Sequence, residues 1–339
     1  MEQINHQIRL AARPVGMPKH SDWSYVEEPI REPKDNELLI KVEYISLDPA
    51  MRGWVSDRKS YVPPVKIGEV MRALALGRVV TSKNRKFEPG DCVSGMLGAQ
   101  EYTISDGNGL MKVDPHLAPL PKHLSVLGMP GMTAYFGLLE TGQPKAGETV
   151  VVSAAAGAVG AVVGQIAKIK GCRVVGIAGG EEKCQYIVNE VGLDASIDYK
   201  AEEIYPALQR QCPNGIDVYF DNVGGEILDT VLANIARGSR IVICGAISQY
   251  NNTTAIRGPS NYLSLLVNRA SMKGMLVTDY FARYPDAVRE MARWMAEGKL
   301  KSREHIVDGL ENFPETLLML FTGQNFGKLE IKVGNAAAA

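Results

Sequence analysis

The stretch Val150-Val-Val-Ser-Ala-Ala-Ala-Gly-Ala-Val-Gly160 decides the fold. The β-branched run at its start predicts a buried strand over Val150–Ser153, and the glycines after it predict a tight turn into a helix that runs through Ile169. At such a strand–turn–helix junction, backbone N–H groups and the helix dipole can hold a pyrophosphate. A Gly-rich turn alone is equally typical of plain helix packing, so the prediction of a dinucleotide site depends on this context.

Strands and helices alternate after this turn. Further strands are predicted at Arg173–Ala178, Ser196–Asp198, Ile216–Phe220 and Arg240–Cys244, and helices at Glu181–Val191, Ile204–Arg210, Ile227–Ala236 and Pro285–Gly298. Both faces of the strands are apolar, which is typical of a parallel sheet covered by helices on both sides. The pattern predicts a doubly wound α/β domain of the Rossmann type.

The chain before this region has a different texture. Short β-like runs at Glu37–Ile45, Leu76–Val80 and Asp91–Ser94 alternate with turn signals, and little reads as a long helix. The last run, Gly327–Val333, alternates in the same way and is predicted to return to the first domain. We therefore predict a discontinuous β-rich domain (residues 1–124 and 303–333), a nucleotide-binding domain (125–302) and a tail (334–339).

Composition bears on which partners the protein can bind and on where in the cell it is located. The 339 residues suggest about two domains, and 37 Lys and Arg against 38 Asp and Glu give a net charge of −1. No overall field then favours nucleic acid or an anionic membrane. The uncharged stretch Thr149–Ala167 is interrupted by Gly, Ser and Gln and is a poor membrane span. The first residues hold no apolar core of signal-peptide length, and the five cysteines are scattered, so we expect reduced thiols in the cytoplasm.

The end of the second strand bears on the choice of cofactor. An NAD site usually places an acid there to bind the ribose 2′-hydroxyl, but this chain has Gly179-Gly180. The glycines leave room for a 2′-phosphate, and Lys183 can supply the positive charge. Glu181 and Glu182 argue against this interpretation, although both can simply cap the first helical turn. Lys183 could also be an ordinary solvated lysine; on balance the sequence favours NADPH over NADH.

Several segments carry a family resemblance that extends over essentially the whole chain. They are Ser46-Leu-Asp-Pro-Ala-Met-Arg-Gly53, Ser60-Tyr-Val-Pro-Pro64, Gly128-Met-Pro-Gly-Met-Thr-Ala-Tyr135, Ala154–Gly160, Phe220-Asp-Asn-Val-Gly-Gly225, Cys244-Gly-Ala-Ile-Ser-Gln-Tyr-Asn251 and Gln324-Asn-Phe-Gly-Lys328. With the order of domains, they resemble the medium-chain dehydrogenase/reductase superfamily, and within it the zinc-independent leukotriene/prostaglandin and bacterial curcumin reductases. The resemblance implies a Rossmann domain beside a mostly β, GroES-like catalytic domain. Ala50 departs from the Tyr usual in that group, which implies a more open pocket wall or a shifted substrate preference.

Zinc ligands are missing where zinc-dependent members of the superfamily carry them. Those members have a Cys-His pair, a Gly-His-Glu segment and a four-cysteine lobe. This chain has Ser46-Leu-Asp-Pro49 and Ile67-Gly-Glu69 at the first two places, and Cys92 has no cysteine neighbours. Without such ligands at workable spacing, we predict that no metal is bound.

The resemblance also implies which residues contact the cofactor. Near the pyrophosphate it implies Gly157, Ala158, Val159 and Gly160, and near the 2′-phosphate Lys183 and Tyr199. Along the rest of the cofactor it implies Asn222, Cys244, Gly245, Ala246, Ile247, Ser248, Tyr250, Met275, Leu276, Val277 and Asn325. For Asn222 the alternative is a turn-closing side chain, and Cys244 fits buried packing better than a nucleophile.

The reaction implied is the NADPH-dependent reduction of the C=C bond of α,β-unsaturated ketones or aldehydes. A metal-free enzyme must stabilise the developing enolate by hydrogen bonds, and the phenol of Tyr250 is the best candidate donor. Tyr61 and Met132 are candidate pocket walls, although simple packing would also explain them. Two alternatives stay open: a quinone oxidoreductase of the same superfamily, and a non-catalytic NADPH-binding sensor. We also expect a homodimer, formed through the β segment Ser271–Val277.

Overall fold

The computed structural model describes residues 3–334, so of the predicted tail only Gly334 lies within the described residues. The chain divides into two compact units. One combines the chain up to Leu124 with the segment from Glu304 onward, and the other spans Ser125–Arg303. The second is called the nucleotide unit below, and the first the β-rich unit.

The bounds of the elements follow in chain order. The strands are β1 (Ile4–Leu10), β2 (Trp23–Pro29), β3 (Leu38–Ser46), β4 (Ala75–Ser82), β5 (Cys92–Gly95), β6 (Tyr102–Ser105), β7 (Met111–Lys112), β8 (Thr149–Ser153), β9 (Arg173–Ala178), β10 (Ala195–Asp198), β11 (Ile216–Asp221), β12 (Ile235–Ile243), β13 (Ser271–Gly274), β14 (Glu304–Asp308) and β15 (Lys328–Lys332). The helices are α1 (Met51–Trp54), α2 (Met129–Phe136), α3 (Gly160–Ile169), α4 (Glu181–Asn189), α5 (Ile204–Gln211), α6 (Gly225–Leu232), α7 (Leu263–Asn268), α8 (Tyr284–Ala296) and α9 (Phe313–Thr322).

The nucleotide unit is built on a parallel sheet, which confirms the predicted fold class. Within residues 3–334 this sheet has six strands in the order β10-β9-β8-β11-β12-β13, and every neighbouring pair is parallel. Strand order reverses at β8, which lies between β9 and β11. In open α/β sheets, ligands bind at the carboxyl ends of the strands where this reversal occurs. The fold therefore points to the ends of β8 and β11.

The predicted helix Ile227–Ala236 is too long. Helix α6 ends at Leu232, and Ile235 already belongs to β12, where it pairs with Ile216 of β11. Ile235 is buried, so the sheet supplies both its backbone partners and its packing, and this tertiary pairing overrides the local helical pattern. At the other end of β12, Cys244 lies one residue beyond the strand. The predicted edge strand Ser271–Val277 is likewise shorter and ends at Gly274.

The β-rich unit holds a second sheet in the order β14-β15-β3-β4-β5-β7, with β6 also paired to β3, and a separate β1–β2 pair. The last strand, β15, runs antiparallel to β3, with Ile331 opposite Ile45. The apolar residues of both strands enter one core, in which Val42, Ile45 and Ile331 are fully buried. The C-terminal segment therefore packs with the first part of the chain, and this unit is the mostly β domain that the resemblance implied.

Charged side chains lie on the opposite face of β15. The ammonium of Lys328 donates to the Leu47 carbonyl and to Asp48 Oδ1, both at 2.8 Å, and so fixes the turn after β3. Neither carboxyl oxygen of Glu330 has a hydrogen-bond partner among residues 3–334. Burial raises the pKa of Glu330 to about 9, because the nearby Lys328 charge only partly offsets the loss of water.

The five cysteines are free thiols, four of them buried and Cys244 partly so. No helix within the described part of the chain combines the length and the apolar character needed to cross a membrane. Location in the cytoplasm stays a prediction.

Candidate nucleotide-binding site

The turn after β8 is shaped by contacts that only small residues permit. Ala154 has a left-handed backbone (φ = +50°), and its carbonyl accepts the Gly157 N–H at 2.9 Å. A Cβ at position 160 would lie 2.3 Å from the same carbonyl oxygen, so glycine is required there. Helix α3 then begins at Gly160, with its N-terminal turn at the carboxyl end of β8. This is the geometry of an anion-binding strand–turn–helix junction.

The end of β9 brings Gly179, Tyr199 and Lys183 into one area. A Cβ at position 179 would lie 2.6 Å from the Tyr199 hydroxyl, so the missing side chain makes room for the tyrosine ring. The Asp198 carboxylate accepts the backbone N–H groups of Gly180 and Lys200, both at 2.9 Å. This nearby acid is thereby engaged in holding the ends of β9 and β10 together.

Charged groups of both signs lie at this tip. Burial, and then the neighbouring Lys200 charge, lower the pKa of Lys183, while Glu182 acts in the opposite direction. A phosphate bound beside the two lysines would offset the repulsion between them. Glu181 accepts a hydrogen bond from Gln185 one turn later on α4. The two glutamates occupy the first turn of α4, which suits the capping interpretation of these residues.

The loops that follow β11 and β12 are joined by backbone hydrogen bonds. Asn222 donates its backbone N–H to Ser153 Oγ at 2.9 Å and its side-chain amide to the Ser153 carbonyl at 2.8 Å. The N–H groups of Ile247 and Ser248 donate to the carbonyls of Asn222 and Val223 at 3.2 Å. The side-chain amide of Asn222 thus bridges the ends of β8 and β11. This role is similar to the alternative given for Asn222 from the sequence, a side chain that closes a turn.

Tyr250 closes the second of these loops. Its hydroxyl oxygen accepts the Ala246 N–H at 3.1 Å and would lie 3.0 Å from a Cβ on Gly245. Glycine at 245 therefore lets the phenol rest against the end of β12. Burial, followed by the Asp221 charge, raises the pKa of the Cys244 thiol to about 12, so this residue stays a thiol at neutral pH.

Two further predicted contacts lie elsewhere in the nucleotide unit. The segment Met275–Val277 follows β13, and the Met275 N–H donates to the Ile243 carbonyl at 3.3 Å, which keeps the start of this segment beside β12. Met132 lies in α2 and is fully buried, so in this structure its side chain contributes to packing.

The remaining predicted residues belong to the β-rich unit. Tyr61 is exposed, and its hydroxyl accepts a hydrogen bond from Trp54 Nε1 at 3.3 Å. Asn325 donates its side-chain amide to the Gly327 carbonyl at 3.2 Å. Ala50 is half-buried immediately before α1. The roles of these residues toward substrate and cofactor stay predictions.

Within residues 3–334, no group of three or more His, Cys, Asp or Glu side chains is arranged to hold a metal ion. At the position of a possible metal ligand, Glu69 instead accepts the Lys66 N–H at 3.0 Å. Metal content stays a prediction for the protein in solution.

Sequence reasoning did not single out Ser153 or Asp221. Ser153 is the last residue of β8 and Asp221 is the last residue of β11, and the two side chains are hydrogen-bonded at 3.2 Å. A polar residue at the end of each central strand was the available signal, because those ends meet at the ligand-binding edge of a doubly wound sheet.

Two family models match the chain. The N-terminal domain of oxidoreductase matches residues 6–113, and the zinc-binding dehydrogenase family matches residues 158–297. The NADPH-dependent curcumin reductase of Escherichia coli (strain K12) is 45% identical over 337 residues, which cover 98% of each chain. The 2-alkenal reductase (NADP(+)-dependent) of Nicotiana tabacum is 41% identical over 338 residues, again 98% of each chain.

The crystal structure of CurA in complex with NADPH from Vibrio vulnificus superposes with a TM-score of 0.92. It is 46% identical, and the match covers 97% of this chain and 99% of that one. Similarity of this extent, over both units and the whole of the relatives, establishes the family. The chain belongs to the zinc-independent reductase group of the medium-chain dehydrogenase/reductase superfamily.

Proposed function

We propose that this protein is an NADPH-dependent reductase that acts on the C=C bond of α,β-unsaturated ketones and aldehydes. The observation that carries the proposal is the position of the Tyr250 hydroxyl. It lies against Gly245 at the end of β12, on a loop that is hydrogen-bonded to the loop after β11. A phenol hydroxyl is thus held near the carboxyl ends of the strands, where a nucleotide is expected.

The residues of the nucleotide unit suit NADPH. The glycine-dependent turn at Ala154–Gly160 offers backbone amides and a helix N-terminus to a pyrophosphate. At the end of β9, Gly179 makes room for the ring of Tyr199, and the Tyr199 hydroxyl and the Lys183 charge together suit a 2′-phosphate. Similarity to the NADP-dependent relatives supports the same cofactor.

Bound there, NADPH would supply a hydride to the β-carbon of the substrate. The electron pair of the C=C bond then moves toward the carbonyl oxygen, where negative charge accumulates. Tyr250 would donate its O–H to that oxygen and remain a phenol throughout. The hydrogen bond that it accepts from the Ala246 N–H orients the hydroxyl and strengthens it as a donor. Water would protonate the α-carbon and complete the saturated product.

A substrate panel tests the proposal. The purified protein is mixed with NADPH and with matched enones, enals and quinones, and cofactor oxidation is followed by absorbance. We expect kcat/KM for the enones and enals to exceed the values for quinones at least tenfold. Faster turnover of quinones would identify a quinone oxidoreductase instead, and tight NADPH binding without turnover of any member would identify a sensor.

We also infer that a second copy of the chain pairs with the edge of the nucleotide sheet. Strand β13 is the last strand on its side of that sheet, and Ser271, Lys273 and Gly274 are exposed. In the same unit, α7 presents the exposed apolar residues Leu263, Leu266 and Val267. An uncovered strand edge and a nearby apolar face are both typical of subunit interfaces. Light scattering at micromolar concentration should give about twice the chain mass of 36.9 kDa, and a mass near that single value would reject the dimer.

A further inference from the structure

Asp221 is the last residue of β11 and is 1% exposed. Its Oδ1 atom receives hydrogen bonds from the Tyr219 hydroxyl at 2.8 Å and from Ser153 Oγ at 3.2 Å. The same oxygen also receives the backbone N–H groups of Val223 at 3.0 Å and Gly224 at 2.9 Å. One oxygen atom thus gathers donors from β8, from β11 and from the loop that leaves β11.

The second oxygen of the Asp221 carboxyl, Oδ2, has a different environment. Asp221 Oδ2 is buried and has no hydrogen-bond partner within residues 3–334. Burial raises the pKa of Asp221, and the four donors oppose that shift only in part. A protonated carboxyl, or an amide of the same shape, keeps an acceptor oxygen at the Oδ1 position. The hydrogen bonds therefore need one oxygen at a fixed place rather than a full negative charge.

The loop held by Asp221 supports the rest of the candidate site. The carbonyls of Asn222 and Val223 receive the N–H groups of Ile247 and Ser248 from the loop that ends at Tyr250. Gly224 is left-handed (φ = +67°), and a Cβ there would lie 3.0 Å from the Ala246 Cβ. The two loops are therefore linked by hydrogen bonds and by close packing, and we expect a shift of the first loop to move the second.

We propose that Asp221 is a positioning residue of the nucleotide site. Through Oδ1 alone it fixes the loop after β11, and through that loop the segment that carries Tyr250. The inference rests on the proposed NADPH-binding function, because its consequence is a well-formed cofactor site. It assigns no contact with substrate or cofactor to Asp221 itself.

The test compares Asp221→Ala with Asp221→Asn and with a matched control, Asp217→Ala. Asp217 lies near the other end of β11, and its carboxylate accepts the Thr149 N–H from β8 at 2.8 Å. The control therefore also removes a carboxylate that accepts a backbone N–H across the same two strands, but at the amino ends of these strands instead of their carboxyl ends. The Kd for NADPH is measured by fluorescence titration at 25 °C, and circular dichroism verifies that each variant is folded.

We expect Asp221→Ala to raise the NADPH Kd at least tenfold, because two loop amides lose their acceptor. Asp221→Asn should stay within about threefold of wild type, and Asp217→Ala should lower Tm without changing Kd. In steady-state kinetics, Asp221→Ala should raise the KM for NADPH by a larger factor than it lowers kcat at saturating NADPH. A purely structural role would lower the Tm of both alanine variants and leave both Kd values near wild type.

Two results would overturn the proposal: wild-type affinity in Asp221→Ala, or equal loss of affinity in Asp221→Asn. Should Asp221→Ala fail to fold, Asp221→Glu replaces it, because the charge is kept while the oxygen is displaced by one methylene. The same tenfold loss is expected for it, and wild-type affinity would again refute the positioning role. Failure of the wild-type protein to bind NADPH would refute the proposed function instead, so the two failures are distinguishable.

Discussion

The two ends of the candidate nucleotide site are built in different ways. At the turn after β8, the backbone defines the shape, and Gly160 approaches the Ala154 carbonyl so closely that no side chain fits. At the end of β9, side chains define it, through the half-buried Lys183 and the partly exposed ring of Tyr199. The first end would serve any dinucleotide, whereas the second would distinguish a 2′-phosphate from a hydroxyl.

The two ends of the site should differ in their tolerance to substitution. A backbone cradle cannot adjust to an added atom without moving the strand and helix that carry it, because both are packed in the core. A side-chain cluster at the surface can rearrange, so changes there should alter cofactor preference more than cofactor binding as a whole.

Gly160→Ala should produce the largest loss. The new Cβ would lie 2.3 Å from the Ala154 carbonyl oxygen, so the turn must open. We expect the Kd values for NADPH and NADH both to rise about a hundredfold, which corresponds to about 2.7 kcal/mol. Fluorescence titration measures both. Gly258→Ala, at an exposed glycine with nothing within 4 Å of its added Cβ, is the control and should bind as wild type. Loss of NADPH affinity alone would contradict the backbone interpretation.

Tyr250→Phe should reduce turnover by roughly ten- to a hundredfold. An oxyanion donor that acts alone contributes about 2.7–4 kcal/mol, and sharing with a ribose hydroxyl would reduce this value. The NADPH Kd should change less than about threefold, since the ring remains and only the hydrogen bond from the Ala246 N–H is lost. Pre-steady-state measurement of hydride transfer in wild type, Tyr250→Phe and Tyr250→Ala checks this. An unchanged rate in the Phe variant would assign Tyr250 to loop packing.

Lys183→Ala should raise the KM for NADPH about tenfold and leave the KM for NADH nearly unchanged. A charge-assisted contact with a phosphate contributes about 1.5–3 kcal/mol, and NADH lacks that phosphate. Steady-state kinetics with both cofactors measure the effect, and NADH serves as the internal control. Equal weakening for both cofactors would show that Lys183 supports the fold of the site rather than the 2′-phosphate.

Gly179→Ala should have a smaller effect, about threefold on the KM for NADPH only. Its Cβ would lie 2.6 Å from the Tyr199 hydroxyl, but the ring is 45% exposed and can move outward. A double-mutant cycle with Tyr199→Ala tests this route. If Gly179 acts through Tyr199, the two effects should not add. Additive effects would mean that the glycine serves the cofactor directly.

Glu330 belongs to the β-rich unit, so the substitution Glu330→Gln should leave the affinity for the cofactor unchanged. The pKa of Glu330 is raised to about 9 in the folded protein, above the ~4.3 of an unfolded chain. The folded state thus binds this proton more tightly, and stability falls as pH rises from the lower value to the higher. The loss from this group is about 1.4 kcal/mol for each pH unit in that window. Urea unfolding at pH 6 and pH 8.5 should show a smaller decline in the variant; equal declines would contradict the raised pKa.

The sequence alone was sufficient for the fold class. The run of valines before Gly157 and Gly160, and the repeated alternation after it, predicted a parallel sheet, and the structure confirms this. Such patterns extend over a few residues and do not depend on how the elements pack against each other. The helix predicted over Pro285–Gly298 is also present as α8, and it buries Met291 and Trp294. The end of α6 was not predicted correctly. Ile235 belongs to β12 because it pairs with Ile216 of β11, which is distant from it in the sequence.

Only the tertiary structure decided how the predicted site residues are held. Three contacts arise because loops meet at the carboxyl ends of the strands. The Tyr250 hydroxyl accepts the Ala246 N–H, and Gly179 makes room for Tyr199. Asp221 receives hydrogen bonds from four donors on one oxygen. Each contact joins strand ends or loops whose spacing depends on the whole sheet. The local sequence determines which elements form, because periodicity and turn chemistry act over a few residues. The positions of side chains at the site depend on how distant elements pack, and no short stretch of sequence encodes that.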